Sequence, residues 1–298
     1  MIQLTYNIPF EMYNGTFKQE EFNLFVEYCK QTNIRIENTC PMANITGKVI
    51  PEAYYNMNGF VNASHHRLAR RLELQGVKHL NSVGASLIAD DKFLSGLELK
   101  FNGIPVPKFL DVNQLFGVAQ NYGGKFTQLV KDEIKFPCVI KVPNGGYGNG
   151  ICLIENETQF NDWFSMAAWI NPKFGYNECG ADFLVQEFIS NSKGRALRVH
   201  ILDGEYLGCM YRDNQLSWKV NSNIAGSTPT RYDADPELIK MCIKTLEVLN
   251  LRHAGVDILF DDNGYTINEV NSSPGFVVFN SIFPEVNLPK RLIDALLA

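Results

Sequence analysis

The feature that most constrains the fold of this chain is a glycine-rich segment enclosed by two short apolar runs. Residues 141–150 read KVPNGGYGNG, so four glycines occupy six positions shortly after a lysine. The apolar runs at 136–142 and 151–154 have the length and composition of buried strands. The sequence therefore predicts two strands joined by a very glycine-rich connection, and we call residues 144–150 the glycine loop.

The glycine loop has the composition of a backbone cradle for phosphate groups. Glycine lets N–H groups turn toward phosphate oxygens without a clash from Cβ, and a lysine buried in an apolar strand is costly unless an anion pairs with it. The loop has neither the GK[ST] of a Walker A loop nor the strand-to-helix context of a dinucleotide fingerprint. An ordinary hairpin turn is the alternative, but it needs only one or two glycines. The candidate phosphate ligands are Lys141, Gly145, Gly146, Tyr147, Gly148 and Gly150.

A second candidate site lies in a predicted hairpin over residues 255–271. We expect a three-residue loop with glycine in its left-handed third place, which pairs Asp261 with Tyr265. Counting back along the ladder then places Asp257 directly opposite Glu269.

Two carboxylates that face each other across a ladder repel unless a cation bridges them. Asn271 lies two residues beyond Glu269 and shares its face, so its amide oxygen can join the carboxylate of Asp257. Oxygen ligands without histidine or cysteine favour Mg²⁺ or Mn²⁺ over zinc. The alternative is an exposed acidic edge, and the neighbouring glycine loop favours the metal.

Composition excludes several classes of protein. The net charge is −5 with acids and bases mixed along the chain, which argues against a broad nucleic-acid or membrane surface. No apolar run reaches the roughly 18 residues of a membrane span, and the first residues lack the pattern of a secretory signal. Seven cysteines without a CxxC pair predict neither a disulfide framework nor a zinc site. We therefore expect a cytoplasmic protein.

The order of elements predicts three lobes. Residues 1–90 alternate short strands, one of them at 59–62, with helices, which is typical of a small α/β lobe. Residues 91–182 begin with a helix and contain the glycine loop. Residues 183–298 are richer in strands, with a strand at 183–189 first and the acidic hairpin last. The predicted class is α+β with an α/β first lobe.

Taken in order, these residues resemble the ATP-grasp superfamily, and within it the RimK-like amino-acid and peptide ligases. The resemblance covers roughly residues 60 to 280. It rests on the segments Asp91-Lys92, Lys141 with the glycine loop, Val185-Gln186-Glu187-Phe188-Ile189, Arg198, Asn221, Gly255-Val256-Asp257 and Glu269-Val270-Asn271-Ser272-Ser273-Pro274-Gly275. The ordered set is far more specific than any one of its parts. It implies an ATP-grasp fold with an N-terminal pre-grasp lobe.

The resemblance also implies a role for each matching residue. Lys92 and Lys141 would bind the phosphates of ATP beneath the glycine loop, with Lys92 the more solvated of the two. Arg198 would hold the acyl-phosphate or the transferring phosphoryl group, and Lys219 and Asn221 would approach the phosphates and the reacting carboxylate. The hinge that reads adenine would be Gln186, Glu187, Phe188 and Ile189. The ligands of Mg²⁺ or Mn²⁺ would be Asp257, Glu269 and Asn271.

The implied activity is ATP-dependent ligation of a carboxylate to an amine through an acyl-phosphate, which adds an amino acid to an amino acid, a peptide or a protein. A non-catalytic nucleotide-binding module and a D-alanine–D-alanine-like ligase are the alternatives, and a homo-oligomer is left open. The chain departs from the family at two places. Ala196 stands where an acidic residue is usual, and the segment 222–226 lacks the basic pair that often follows the asparagine.

Overall fold

The computed structural model describes residues 2–5, 17–39, 50–56, 63–111, 123–146, 148, 150–170, 183–220 and 228–298. In these ranges the chain forms three sheets with helices packed against them. The strands are β1 Ile2–Thr5, β2 Ile36–Thr39, β3 Ala53–Asn56, β4 Phe109–Asp111, β5 Cys138–Lys141, β6 Ile151–Ile154, β7 Leu184–Glu187, β8 Arg195–Leu202, β9 Glu205–Asp213, β10 Thr230–Arg231, β11 His253–Asp261 and β12 Gly264–Asn271. The helices are α1 Phe17–Gln31, α2 Ala63–Leu74, α3 Val83–Asp90, α4 Lys92–Phe101, α5 Gly123–Glu133, α6 Glu157–Ile170, α7 Pro236–Val248, α8 Val277–Ile282 and α9 Leu288–Leu297.

The first sheet is parallel, with strand order β2-β1-β3, as an α/β lobe requires. Its third strand occupies 53–56, and the strand expected at 59–62 lies outside the described residues. The two last helices, α8 and α9, pack on this lobe: Phe279 and Leu292 share a buried cluster with Phe25 of α1 and Tyr55 of β3. The amphipathic pattern of α9 therefore matches a surface supplied by the other end of the chain.

The joint between the first lobe and the next is fixed by local capping. The side chain of Ser82 caps α3 by accepting from the backbone of Ala85. Asp91 caps α4, because its carboxylate accepts from the amides of Phe93 and Leu94. An Asp at this position satisfies two of the unpaired N–H groups of the first turn, so Lys92 begins the helix in a defined direction.

The second sheet is antiparallel, with order β4-β7-β5-β6. One face packs on α5 and α6, where Ile140 and Val185 meet Phe126 and Phe160. The strand at 183–189 was expected to belong to the third lobe. That assignment is wrong, because β7 hydrogen-bonds to β4 and β5 within this second sheet.

The third sheet has order β10-β9-β8-β11-β12 and is also antiparallel. Helix α7 covers one face, and Leu238 and Leu246 pack there against Val199 and Val256. The alternation of side chains along a strand leaves Arg198 on the other face, directly opposite Asp257.

In the acidic hairpin Asp257 pairs with Glu269 as predicted, but the turn and the register next to it differ from the prediction. Its turn holds two residues rather than three, because Asp261 pairs with Gly264. This moves the ladder near the turn by one residue from the expected register. A β-bulge then restores it: Ile258 pairs with Ile267 while Asp257 pairs with Glu269, which leaves Asn268 as the extra residue. A bulge sets two residues against one, so the two one-residue offsets cancel.

Candidate active site

The free faces of the second and third sheets meet across a polar gap. Lys141 and Gln186 project from the second sheet toward Asn268 of β12. A cleft of about 320 Å³, solvent at its mouth included, opens beside them and is lined by Lys92 and Glu269 among other residues. Residues far apart in the sequence are thus brought together between two sheets.

Lys141 is buried, with 5% of its surface exposed. Its Nζ donates to Oδ1 of Asn268 at 2.8 Å. Burial lowers the pKa of the Lys141 ammonium to about 8; the charge of Glu269 opposes this shift and that of Lys92 adds to it. Desolvation disfavours the charged form of a lysine, so this ammonium sits where a bound anion would stabilise it strongly.

Lys92 is the more exposed of the two lysines, as expected, because the residue is half-buried whereas Lys141 is buried, although only 6% of the Lys92 side chain is exposed. Its Nζ donates to the carbonyl of Gly145 at 2.7 Å and lies 3.4 Å from that of Pro143. The same nitrogen lies 3.8 Å from a carboxylate oxygen of Glu269. Lys92 therefore joins the start of the glycine loop to the acidic hairpin.

The far end of the glycine loop is held by a second lysine. Lys219 donates from Nζ to the carbonyl of Ile151 at 2.7 Å and lies 3.4 Å from that of Gly148. Gly148 and Gly150 both have positive φ, at 73° and 67°, a region that glycine enters without steric cost. A Cβ at Gly150 would also lie 2.8 Å from the side chain of Val142. Two lysines that were assigned to phosphate thus hold loop carbonyls here.

The acidic residues are partly engaged by cations of the protein. Both oxygens of Asp257 accept from Arg198, each at 2.5 Å, in a bidentate pair of the kind that fixes geometry as well as energy. Nδ2 of Asn271 is buried and has no hydrogen-bond partner in the described part of the chain. Asp257 and Glu269 are cross-strand neighbours as predicted.

This donor set fits a hard divalent cation. Carboxylate and amide oxygens are what Mg²⁺ prefers, and an amide without a protein partner fits either a phosphate oxygen at its nitrogen or a cation at its oxygen. No group of three or more His, Cys, Asp and Glu side chains in the described ranges could hold a metal ion. Because one of the three expected ligands is an asparagine, that finding leaves the ligand set Asp257, Glu269 and Asn271 a prediction.

The residues expected to form the adenine hinge do not all face the cleft. Gln186 faces the cleft and donates to Asn268 at 3.4 Å. The backbone N–H of Glu187 donates instead to the carbonyl of Lys108 at 2.8 Å. Phe188 packs edge-to-face on Trp218, with ring centroids 6.0 Å apart. Of these residues, Gln186 is the one that shares the acceptor Asn268 with Lys141.

Tyr147 and Asn221 lie outside the described residues. Ile189 follows the hinge strand and precedes a short 3₁₀ turn at 190–192, without a side-chain cap.

Sequence reasoning missed two residues of this site, Asn268 and Arg212. Burial, with the charge of Arg198 as a second cause, lowers the pKa of the Arg212 guanidinium to about 10, while Asp257 and Glu269 oppose the shift. In β9 the register shifts between the pairs His200–Gly208 and Ile201–Tyr206. The shift leaves Leu207 as an extra residue and turns Arg212 to the face that carries Arg198.

Comparison with known proteins gives the same family. The profile of the RimK-like ATP-grasp domain matches residues 89–296. The chain is 31% identical over 234 residues to a probable alpha-L-glutamate ligase of Maridesulfovibrio salexigens, covering 76% of this chain and 69% of that protein. It is 26% identical over 211 residues to the tetrahydromethanopterin:alpha-L-glutamate ligase of Methanocaldococcus jannaschii, covering 70% of this chain and 66%, just under two thirds, of that protein.

A solved structure shows the same fold over the whole chain. The D-alanine–D-alanine ligase of Bacillus anthracis superposes with a TM-score of 0.72 at 16% identity, covering 99% of this chain and 95% of that one. The α+β ATP-grasp fold predicted from the sequence is confirmed. None of the helices described is long and apolar enough to cross a membrane. The predicted class of reaction, ATP-dependent ligation of a carboxylate to an amine, is confirmed at the level of the family, and the chain belongs to the RimK-like ATP-grasp ligases.

Proposed function

We propose that this chain uses ATP to activate a carboxylate as an acyl-phosphate and then joins it to the amine of a second substrate. An amino acid is one substrate, and the other is an amino acid, a peptide or a protein. The observation that carries the proposal is the meeting of Lys141, Arg198 and the acidic hairpin between two sheets. Because no nucleophilic side chain is needed, the residues act by positioning and by charge.

The cationic residues have different roles in the proposed reaction. Lys141 and Lys92 bind phosphate oxygens, and the N–H groups of the glycine loop close over them. Arg198 stabilises the charge on the transferring phosphoryl group, since a guanidinium matches phosphate geometry. Lys219 and Asn221 orient the reacting carboxylate. This leaves the chemistry to the substrates, as in other phosphoryl transfers.

Asp257, Glu269 and Asn271 would hold Mg²⁺ or Mn²⁺. The bound ion would spread the negative charge that develops on the phosphates. In the structure Asp257 is paired with Arg198 and lies directly across the ladder from Glu269. Gln186 to Ile189 border the nucleotide, with Phe188 and Trp218 as an apolar wall. A cytoplasmic location agrees with the use of ATP.

The identity of the amino acid is the main open choice, and glutamate is the first candidate. Two relatives carry the name glutamate ligase, and Arg212 adds positive charge on the active-site face. The neutral segment 222–226 lacks the basic pair that would support an acidic substrate. Glutamate, alanine in both configurations and neutral amino acids are therefore the compounds to compare.

The test is ADP release by the whole chain with ATP, Mg²⁺ and pairs drawn from amino acids and short peptides. The proposal expects ADP formation only when a carboxylate and an amine are both supplied, with a product whose mass is that of an amide. Tight nucleotide binding without such turnover for any pair would favour the non-catalytic module. D-alanine as the preferred substrate would favour the D-alanine–D-alanine-like alternative.

A further inference from the structure

Asn268 is the extra residue of the β-bulge in the acidic hairpin. In a regular ladder it would occupy a paired position on one face of the sheet. The bulge instead turns its side chain away from the third sheet and toward the second, because a bulge re-aims the residue it adds. Its Oδ1 there accepts from Nζ of Lys141 at 2.8 Å and from Nε2 of Gln186 at 3.4 Å.

The two donors come from the strands on which the nucleotide site is built. Lys141 ends β5 and Gln186 lies in the neighbouring β7, and both residues are buried. A single amide oxygen thus links the second sheet to the strand that carries Glu269. The link spans 127 positions of the sequence from Lys141, so it forms only when the two lobes are correctly placed.

The chemistry of the acceptor matters as much as its position. An amide oxygen takes one of the three N–H bonds of a lysine ammonium and leaves its charge uncompensated. A carboxylate in the same place would neutralise that charge and would stand beside Asp257 and Glu269. The lowered pKa of Lys141, caused mainly by burial, is consistent with an ammonium that has no carboxylate at contact distance among the described residues.

We infer that Asn268 is a positioning residue of the nucleotide site, which holds the Lys141 ammonium in the direction of the phosphates and makes that direction depend on the placement of the two lobes. The inference rests on the proposed function, because it takes Lys141 to be a phosphate ligand. It assigns no contact with substrate to Asn268 itself.

A purely structural bridge between the lobes is the competing explanation, and the two differ in which ligands they affect. Positioning through Lys141 alters the affinity for ligands that carry phosphates, ATP and ADP. It leaves adenosine, which has the same base and sugar, nearly unaffected. Loss of a structural bridge would weaken all three ligands together.

The experiment measures the dissociation constants of ATP, ADP and adenosine by calorimetry for the wild type, Asn268→Ala and Asn268→Asp. Asn263, exposed at the tip of the same hairpin, supplies the matched controls Asn263→Ala and Asn263→Asp. Asn268→Ala should raise the dissociation constant for ATP about tenfold, as loss of one hydrogen bond to a charged group implies. Asn268→Asp should raise it further, and adenosine should change by less than about twofold.

A double-mutant cycle with Lys141→Met separates the roles further. If Asn268 acts through the ammonium, Asn268→Ala should have no added effect on ATP affinity once the ammonium is gone. Three results would each overturn the inference: additive losses of ATP affinity in the double variant, equal weakening of ATP and adenosine binding, or wild-type ATP affinity in Asn268→Ala. If the wild type binds ATP in the same experiment, the proposed nucleotide site still stands. A wild type that binds no ATP would overturn the proposed function and this inference together.

Discussion

Replacing Lys141 by methionine should stabilise the protein without ligand while it impairs nucleotide binding. Burial lowers the pKa of Lys141 from 10.5 to about 8. Each unit corresponds to about 1.4 kcal/mol, so keeping this ammonium charged at neutral pH costs the folded state about 3 kcal/mol. Methionine has a similar length and no charge, so the substitution removes that cost.

The substitution also has an opposing effect, because Oδ1 of Asn268 loses its donor at 2.8 Å. An acceptor left unsatisfied costs about 1–3 kcal/mol. The net change in the free energy of unfolding at pH 7 is therefore expected to lie between zero and a stabilisation of about 2 kcal/mol, the difference between the two contributions.

The stability difference between the wild type and Lys141→Met should depend on pH. Because the folded-state pKa of Lys141 lies below the unfolded value, the unfolded chain binds more protons between pH 8 and 10.5. The stability of the wild type relative to the variant therefore rises with pH across that window. The advantage of Lys141→Met should be full below pH 8 and should disappear, or reverse through the lost hydrogen bond, near pH 10.5.

The assay is urea unfolding of both proteins at pH 7 and pH 10, with an ATP titration at pH 7. Lys141→Glu serves as the opposite control, since it should lose both ATP affinity and stability by placing a third carboxylate near Asp257 and Glu269. A stability difference that is the same at both pH values would refute the burial argument. Wild-type ATP affinity in Lys141→Met would refute the assignment of this lysine to the phosphates.

Three further predictions follow from the same contacts. Glu269→Gln should abolish ADP formation with little loss of stability. Asp257→Asn should abolish it too and should also lower the free energy of unfolding by on the order of 3 kcal/mol, because it breaks a buried pair with Arg198. Near-normal turnover of both variants at saturating Mg²⁺ would exclude the metal assignment. ATP should protect the backbone amides of the glycine loop from hydrogen exchange, and equal exchange with and without ATP would contradict phosphate cradling. Lys92→Met should speed exchange of the loop even without ATP, because Nζ holds its first carbonyls; unchanged exchange would show that the tether is unimportant.

Much of the fold could be predicted because its elements carry local signals. Helix α4 starts where the second lobe was expected to begin with a helix, with Asp91 as its cap, and it ends before Gly103, whose φ is positive. The turn between β8 and β9 depends on local chemistry in the same way, because Asp203 and Gly204 both have the positive φ of a tight hairpin turn. These features depend on short stretches of chain, whose chemistry is readable without the rest of the molecule.

The missed features depend on contacts between distant parts of the chain. Strand β7 could pair with either sheet as far as its apolar pattern shows, and only the position of β4 and β5 decides. Arg212 was not predicted as a site residue, because regular counting from the turn pairs Arg198 with Cys209. The bulge at Leu207 instead pairs Arg198 with Met210. One added residue exchanges the faces of a strand, and nothing local in the sequence announced it.

The paired offsets in the acidic hairpin have a consequence for comparing this chain with its relatives. A relative with one more residue in the turn and one fewer at the bulge would have a strand of the same length between the same two motifs, so an alignment would show no gap. Its counterparts of Asp257 and Glu269 would still face each other. No side chain, however, would reach from the position of Asn268 to the other sheet. An identical residue in the alignment column of Asn268 would then hide a different hairpin geometry. The counterpart of Lys141 in such a relative would need another hydrogen-bond acceptor.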